Sequence, residues 1–503
     1  PVPDPSTVPA AGSERPAWVA GSSRRLVLAA AIAVILISAI EGTIVATVMP
    51  QIVGDLGDFD LFSWVFTAYL LTQAVIIPIY GRLADLYGRK RMLLIAIGIF
   101  SLGSVGCGSS WNMLSLIGFR VLQGIGAGGL VPVSQTVIGD LYTPVERAHI
   151  QGWLSSVWAI GSIIGPLLGA FLIAHTIWPM VFWINVPIAA TAALLLVLWL
   201  KEGLEHKERR IDYLGAVLLV AGSGVLMFAI VQANQLGLRP VAALIALSLI
   251  LLALFFRYET RIEEPMLPIE LLKNRTLAAA TIGCFALGAI IMGATAFVSL
   301  YVQGVMGKSA MVAGFVLTTP SVTWVIGSAS GGWLMLRSSY RTTIVVGALP
   351  LVLGGTIMVA LHAGFGPLIA VMGVALVGVG MGFTNNTFTV ATQGSVGWAQ
   401  RGVATSTMSF MRQVGQAMGA AVFGGTINAE LAKHGAGADM VDRIMNPALR
   451  RAIPEDTLGT LASAISTGLN HVYWITLGLA FAVMATAFLL PPRLSPRLDP
   501  QRL

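Results

Sequence analysis

Apolar runs of about twenty residues recur along the chain, divided by short polar segments. Each run is long enough to cross a hydrocarbon core of roughly 30 Å as a helix. They fall near 25–50, 61–81, 92–109, 112–140, 150–173, 182–200, 211–232, 240–257, 276–303, 310–336, 341–361, 366–392, 402–429 and 468–490. The pattern predicts an all-α polytopic membrane protein with 14 transmembrane helices. An even number of crossings puts both termini on one side.

The pattern also repeats at long range. "GRLADLYGRK" (81–90) returns in degraded form as "GWLMLRSSYR" (332–341). Gly124, Gly126 and Gly128 recur as Gly378, Gly380 and Gly382, and Arg147, Gly161 and Gly165 recur as Arg401, Gly415 and Gly419. The last two sets share an offset of 254 residues. Parallel repeats of this kind build two bundles around an axis along the membrane normal, with a binding site between them near the midplane. Six helices precede the linker "KEGLEHKERR" and six follow Arg275; the pair between, 211–257, has no counterpart and reads as an insertion. The expected organisation is a cytoplasmic tail (1–24), a first six-helix bundle (25–202) and an inserted two-helix segment with its linkers (203–275). A second six-helix bundle (276–491), carrying an outside loop (430–467), and a cytoplasmic tail (492–503) complete it.

Composition agrees. The chain is 56% hydrophobic and only 11% charged, against roughly 25% charged for a soluble chain. Its mean hydropathy is +0.82, and it lacks the charge to cover a water-facing surface of its size. Of the 30 Lys and Arg, roughly 22 sit in the termini and alternate loops, which places both termini in the cytoplasm. Basic residues confined to loops do not suggest nucleic acid, whatever the net charge of +7. The two cysteines, Cys107 and Cys284, lie in apolar runs and suggest no disulfide framework. The opening "PVPDPSTVPAAGSERP" has no apolar h-region, so no cleavable signal peptide is expected. The segment "ADMVDRIMNPALRRAIP" in the outside loop is patterned as an interfacial helix.

Candidate chemistry sits where polarity interrupts the runs. "GRLADLYGRKR" joins the second and third spans, and Gly81 and Gly88 would ease a tight reversal there. Asp85, Arg89 and their basic neighbours form a cluster able to latch one helix end to another. "RVLQGIGAGG" (120–129) puts Arg120 inside a membrane helix, at a cost of roughly 2.5–3.5 kcal/mol, so the arginine needs a partner or water. "GSIIGPLLGA" (161–170) sets Gly161, Gly165 and Gly169 on one face, with Pro166 interrupting the ladder: a helix that can bend and pack closely. Glu41 interrupts "ILISAIEGTIVATVMP" (35–50). Counted from the outer helix ends, Glu41 and Arg120 both lie roughly 14–15 Å deep, close to the midplane. Arg412 reaches a similar depth from the cytoplasmic side.

These stretches resemble the major facilitator superfamily, specifically its fourteen-helix drug:proton antiporter branch. "GRLADLYGRKR" is similar to the superfamily's loop between helices two and three. "RVLQG" is similar to its helix-four arginine motif, and "GSIIGPLLGA" to the helix-five motif of exporters, with Ala170 for the usual last glycine. "EGTIVATVMP" resembles the branch's helix-one motif, with Glu41 where aspartate is usual, and "FWINVPI" (182–188) and "RQVGQAMG" (412–419) resemble further branch motifs. The resemblance covers about residues 25–490. It implies the major facilitator fold, two six-helix bundles plus two inserted helices, in a bacterial cytoplasmic (inner) membrane. It further implies proton-coupled efflux of hydrophobic or amphiphilic compounds by alternating access.

A lone buried carboxylate is driven towards its neutral form, and a nearby arginine pulls it back. Glu41 with Arg120 is therefore either a proton-coupling site or a permanent ion pair. No acid lies deep in the last six spans, and Arg120 aligns with Val374 there, so coupling is expected in the first bundle alone. Gln73, Gln123, Asn385, Asn386, Arg412 and Gln416 are the candidate contacts of the substrate cavity. No Ser/His/Asp set, metal-ligand spacing or phosphate loop is present in the sequence, so neither enzyme chemistry, metal nor cofactor is expected beyond the proton gradient. The expected partners are a small amphiphilic substrate and membrane lipids, with no nucleic acid; the chain is expected to act as a monomer, and a periplasmic adaptor protein is compatible with it. The rival readings are an exporter of one natural product, siderophore or lipid, and a non-transporting membrane sensor or scaffold.

Overall fold

A computed structural model of the chain describes residues 22–56, 62–202, 212–231, 236–262, 273–308, 310–361, 366–433 and 454–490. These residues are overwhelmingly helical. The first group of helices is α1 (Arg24–Leu56), α2 (Phe62–Tyr87), α3 (Arg89–Gly108), α4 (Met113–Leu141), α5 (Pro144–His175) and α6 (Met180–Trp199). Two more follow, α7 (Tyr213–Val231) and α8 (Leu238–Glu259). The last group is α9 (Arg275–Val305), α10 (Ala310–Arg337), α11 (Tyr340–Val359), α12 (Pro367–Ser395), α13 (Arg401–Lys433) and α14 (Glu455–Thr486). Among the described residues 12 helices are long and apolar enough to cross a membrane, all of these but α10 and α13.

Local chemistry fixes the boundaries. Asn112 and Ser115 form a reciprocal capping box at the start of α4, and Thr143 and Glu146 do the same for α5, with Pro144 in its first turn. Asn274 caps α9 and Ser339 caps α11. Between α2 and α3 the chain reverses at one residue, Gly88, whose φ of 94° favours glycine. The sequence reading of a loop from residue 81 is thereby corrected: 81–87 are the last turns of α2. At the other end, α14 begins at Glu455, not near 468, because Leu461, Ala464 and Ile465 bury an apolar face with Ile427 and Leu431. The stretch read as an interfacial helix lies outside the described residues, apart from its last one, as do the linker 203–211 and most of both tails.

The same helix pairings recur in the two bundles. In the first, α1 packs on α5, and α2 and α3 on α4; in the second, α9 packs on α13, and α10 and α11 on α12. One apolar core runs through the second bundle from Leu277 to Leu490, and three smaller ones fill the first. Glycines permit the closest approaches. A Cβ on Gly415 would strike the Phe285 backbone of α9, while Gly161 and Gly165 of α5 seat Ala39 and Thr43 of α1. Gly161 and Gly165 thus allow the close approach of α5 to α1.

The inserted pair lies at the periphery. Ser248 of α8 donates to the Gly222 carbonyl of α7 at 2.8 Å. Met227 and Ile230 of α7 pack against Val75 of α2 and Val414 of α13, along one seam between the bundles. Both described chain ends share one face: Ser23 N–H donates to the Trp199 carbonyl, Asn274 donates to the Ser395 carbonyl, and Arg341 stacks on Phe488.

Candidate functional site

Polar side chains buried in an apolar helix must find one another. Five helices of the first bundle, α1, α2, α3, α4 and α6, converge to do so. Glu41 of α1 and Arg120 of α4 are 1% and 2% exposed and form a direct ion pair. The arginine also donates from Nε to the Val65 carbonyl at 3.1 Å and from Nη1 to Gln123 Oε1 at 2.7 Å, and it lies 4.1 Å over the Tyr69 ring. Gln123 passes the chain on, donating to Ser104 Oγ of α3 at 2.9 Å. The second carboxylate oxygen of Glu41 accepts from Asn185 Nδ2 of α6 at 2.7 Å. Asn185 Oδ1, by contrast, is buried without a partner among the described residues.

The second bundle offers a different surface. On α13, Ser409, Arg412, Gln413 and Gln416 fall on one stripe, all part-buried, while Met418 and Val422 on the far side are exposed. Arg412 has no hydrogen bond or salt bridge among the described residues, and the titratable neighbour acting on it is the Cys284 thiol. Gln73, Asn385 and Gln416 are likewise part-buried. Two sequence candidates are placed elsewhere in this conformation. Gln123 is wholly enclosed in the Glu41 network, and Asn386 is 1% exposed, donating to the Ser328 carbonyl of α10 at 2.9 Å. Both serve packing between helices because their neighbours leave a polar atom to satisfy.

A second cluster closes the face that carries the chain ends. Asp85 accepts from the amides of Gly402 and Val403 at 3.0 and 2.9 Å, capping the N-terminus of α13 from the other bundle. Arg89 donates to Asp85 at 2.7 Å and to the Trp398 carbonyl at 2.6 Å, lies 3.1 Å from Asp140, and stacks 3.9 Å over the Trp398 ring. Arg401 reaches back to Asp140 at 3.0 Å and to the Gly139 carbonyl at 3.1 Å. Gly81, read from the sequence as a turn residue, is a contact point instead: a Cβ there would meet Ser406 and the Gly402 carbonyl of the opposing helix. Just outside α6, Glu202 accepts from the amides of Arg89 and Lys90 at 2.8 and 2.9 Å. Burial raises its carboxyl above the ordinary value, and the two amides pull it back.

Sequence reasoning named Glu41, Arg120, Asp85 and Arg89, and the structure brings each pair together. It gave no role to Asn185, Asp140, Arg147, Gln393 or Arg401. Asp140, an acid at the end of an apolar run, and the arginine pair repeated at 254 residues were the available signals. Pro166 lies within α5. Both cysteines are buried and free, and among the described residues no group of three or more His, Cys, Asp and Glu could hold a metal.

Residues 31–420 match the family model described as Major Facilitator Superfamily. Multidrug resistance protein 3 of Bacillus subtilis (strain 168) is 34% identical over 464 residues, covering 88% of this chain and 90% of that protein. The multidrug transporter protein MdtP of the same organism is 35% identical over 415 residues, covering 81% and 76%. Among solved structures, the human organic anion transporter MFSD10 (TETRAN) matches with a TM-score of 0.61 at 15% identity, covering 91% of this chain and 99% of that one. This last likeness concerns the fold.

Proposed function

The chain belongs to the major facilitator superfamily, and from that premise we propose that it is a proton-coupled antiporter exporting hydrophobic or amphiphilic compounds. In this reading all fourteen helices cross a bacterial cytoplasmic membrane, α10 and α13 included, with both termini in the cytoplasm. The two Bacillus subtilis relatives bear multidrug names, which supports the cargo class. The clamp of Asp85, Arg89, Asp140 and Arg401 then closes the cytoplasmic side, and alternating access requires it to part.

One observation carries the coupling: a fully buried carboxylate whose partners can hold either of its protonation states. When Glu41 is charged, Arg120 and Asn185 satisfy its two oxygens. When it is neutral, Arg120 still has the Val65 carbonyl, Gln123 and the Tyr69 face. A rotation of the Asn185 amide would turn its unpartnered Oδ1 towards the new O–H. A permanent ion pair has no use for the second arrangement.

The test is efflux of ethidium driven by an imposed pH gradient in inside-out vesicles. Glu41→Gln should abolish uphill transport and leave downhill exchange, and Glu41→Asp should keep partial coupling. Uphill transport at the wild-type rate by Glu41→Gln would contradict the assignment. A second reading, export of one defined natural product, siderophore or lipid, draws support from Arg412. A cation at mid-depth with no acid beside it suits a cargo carrying acceptor or anionic groups. A non-transporting sensor or scaffold has no observation in its favour.

A further inference from the structure

The stretch that joins α10 to α11, residues 332–341, repeats residues 81–90 of the first bundle without their clamp. Leu336 stands for Asp85 and Tyr340 for Arg89, while Leu86 and Lys90 correspond to Arg337 and Arg341. Lys90 is committed to the protein, donating to the Val197 and Leu200 carbonyls at 2.8 and 2.6 Å. Arg337 and Arg341 are not. Neither makes a hydrogen bond or salt bridge among the described residues, and each guanidinium lies against a ring: Arg337 is 4.2 Å over Trp333, and Arg341 is 4.8 Å over Phe488.

Their own bundle has no acid to offer them. Its described residues carry three carboxylates, Glu430, Glu455 and Asp456, all at the far ends of α13 and α14. Glu455 is about 50 Å from Phe488 along the helix axis at 1.5 Å per residue. The two arginines therefore end a bundle whose described part has no negative charge on this face.

Both rings are turned outward, Trp333 53% and Phe488 68% exposed. Each ends an apolar stripe: Ile326 lies two turns before Trp333 on the same face of α10, and Phe481 two turns before Phe488 along α14. Between these stripes runs a third, with Leu349 and Leu353 exposed on α11, which packs on α14 and touches α10. In a chain with 12 apolar spans this surface meets lipid. It offers acyl chains an apolar wall, and at its rim two arginines without a counter-charge. A zwitterionic headgroup brings its own ammonium to its phosphate. A headgroup with net negative charge supplies what the rim lacks, and a phosphodiester matches the guanidinium fork.

We infer that the face formed by α10, α11 and α14 binds an anionic glycerophospholipid, its phosphodiester at Arg337 and Arg341 and its acyl chains along α11. Such binding is independent of what the protein transports. The test is native mass spectrometry of the purified full chain, offered equal amounts of phosphatidylglycerol and phosphatidylcholine with the same acyl chains. Wild type should retain phosphatidylglycerol in preference. Arg337→Gln combined with Arg341→Gln should lose that preference, by about fivefold for each arginine, the worth of one basic residue at an anionic surface. Lysine at both positions should restore most of it. Arg25→Gln combined with Lys201→Gln removes the same charge from exposed residues of the first bundle and should leave the preference intact. Phosphatidylglycerol with a diazirine in its acyl chain should label α11 in wild type and much less in the arginine double variant. Equal retention of the two lipids by wild type, a preference kept by the arginine double variant, an equal loss in the Arg25 and Lys201 pair, or labelling that misses α11 would overturn the inference.

Discussion

The two bundles share a scaffold and differ in what their cores do with charge. In the first, Glu41, Arg120, Gln123, Asn185 and Ser104 are buried and hydrogen-bonded to one another, with Asn185 Oδ1 left unpartnered among the described residues. In the second, Val374 stands where the network's arginine would be, and the deep cation, Arg412, is part-buried without an acid. Duplicated backbone packing therefore does not carry duplicated chemistry. A buried network can store a proton; an unpaired polar stripe can meet a changing guest. We read the first bundle as the coupling half and the second as the cargo-shaping half.

That division can be broken most forcefully at Arg120. Arg120→Ala leaves a buried carboxylate without its counter-charge, and losing one partner of a buried pair costs about 3–5 kcal/mol. Thermal unfolding should register this loss and transport should fail, whereas Arg120→Lys should keep part of both, since it retains a positive charge without the guanidinium's several bonds. The matching change in the second bundle, Arg412→Gln, should leave stability near wild type and alter which cargoes are carried. Equal destabilisation by the two arginine changes would erase the asymmetry.

At the closed face the next largest effect is expected from Gly402→Ala. Its Cβ would lie 2.5 Å from the Gly81 carbonyl and 2.7 Å from Asp85 Oδ1, both held by backbone or by bonds. Overpacking of this kind costs about 1–3 kcal/mol, charged here to the closed state alone. Accessibility of a cysteine introduced on this face should rise, and Asp85→Asn should act in the same direction but less, because the amide keeps one acceptor for the α13 N-terminus.

An effect of similar size, felt on coupling and not on closure, is expected at Asn185. Asn185→Ala removes one hydrogen bond to a charged group, a contribution of about 1.5–3 kcal/mol, and should slow coupled transport more than downhill exchange. Asn185→Leu, which also fills the space where a water could take the place of the amide, should be the more damaging to coupling. Unchanged coupling in both variants would remove the two-state role of this amide.

Much of this was legible in the chain. Apolar runs of spanning length, the repeated glycines and the alternation of basic loops located the helices and the two halves. Glu41, Arg120 and Asp85 declared themselves because charge is rare in such runs. What the sequence could not supply were the partners brought in from distant helices. Asn185 is 144 residues from Glu41, and Gly402 is 317 from Asp85. Boundaries also slipped where polarity misled: the charged end of α2 read as a loop, and the first turns of α14 as part of one. In both places tertiary contacts, α2 with α13 and α14 with α13, hold residues in helix that the local pattern would release.

The central claim is that the proton site lies at Glu41. It is tested most directly by counting protons released when ethidium binds to purified protein in weakly buffered detergent solution near neutral pH. Wild type should release protons in proportion to the ligand bound, and Glu41→Gln should bind with little change in affinity and release none. Release at the wild-type ratio by Glu41→Gln would place the exchanged proton on another group and leave Glu41 and Arg120 as a structural ion pair.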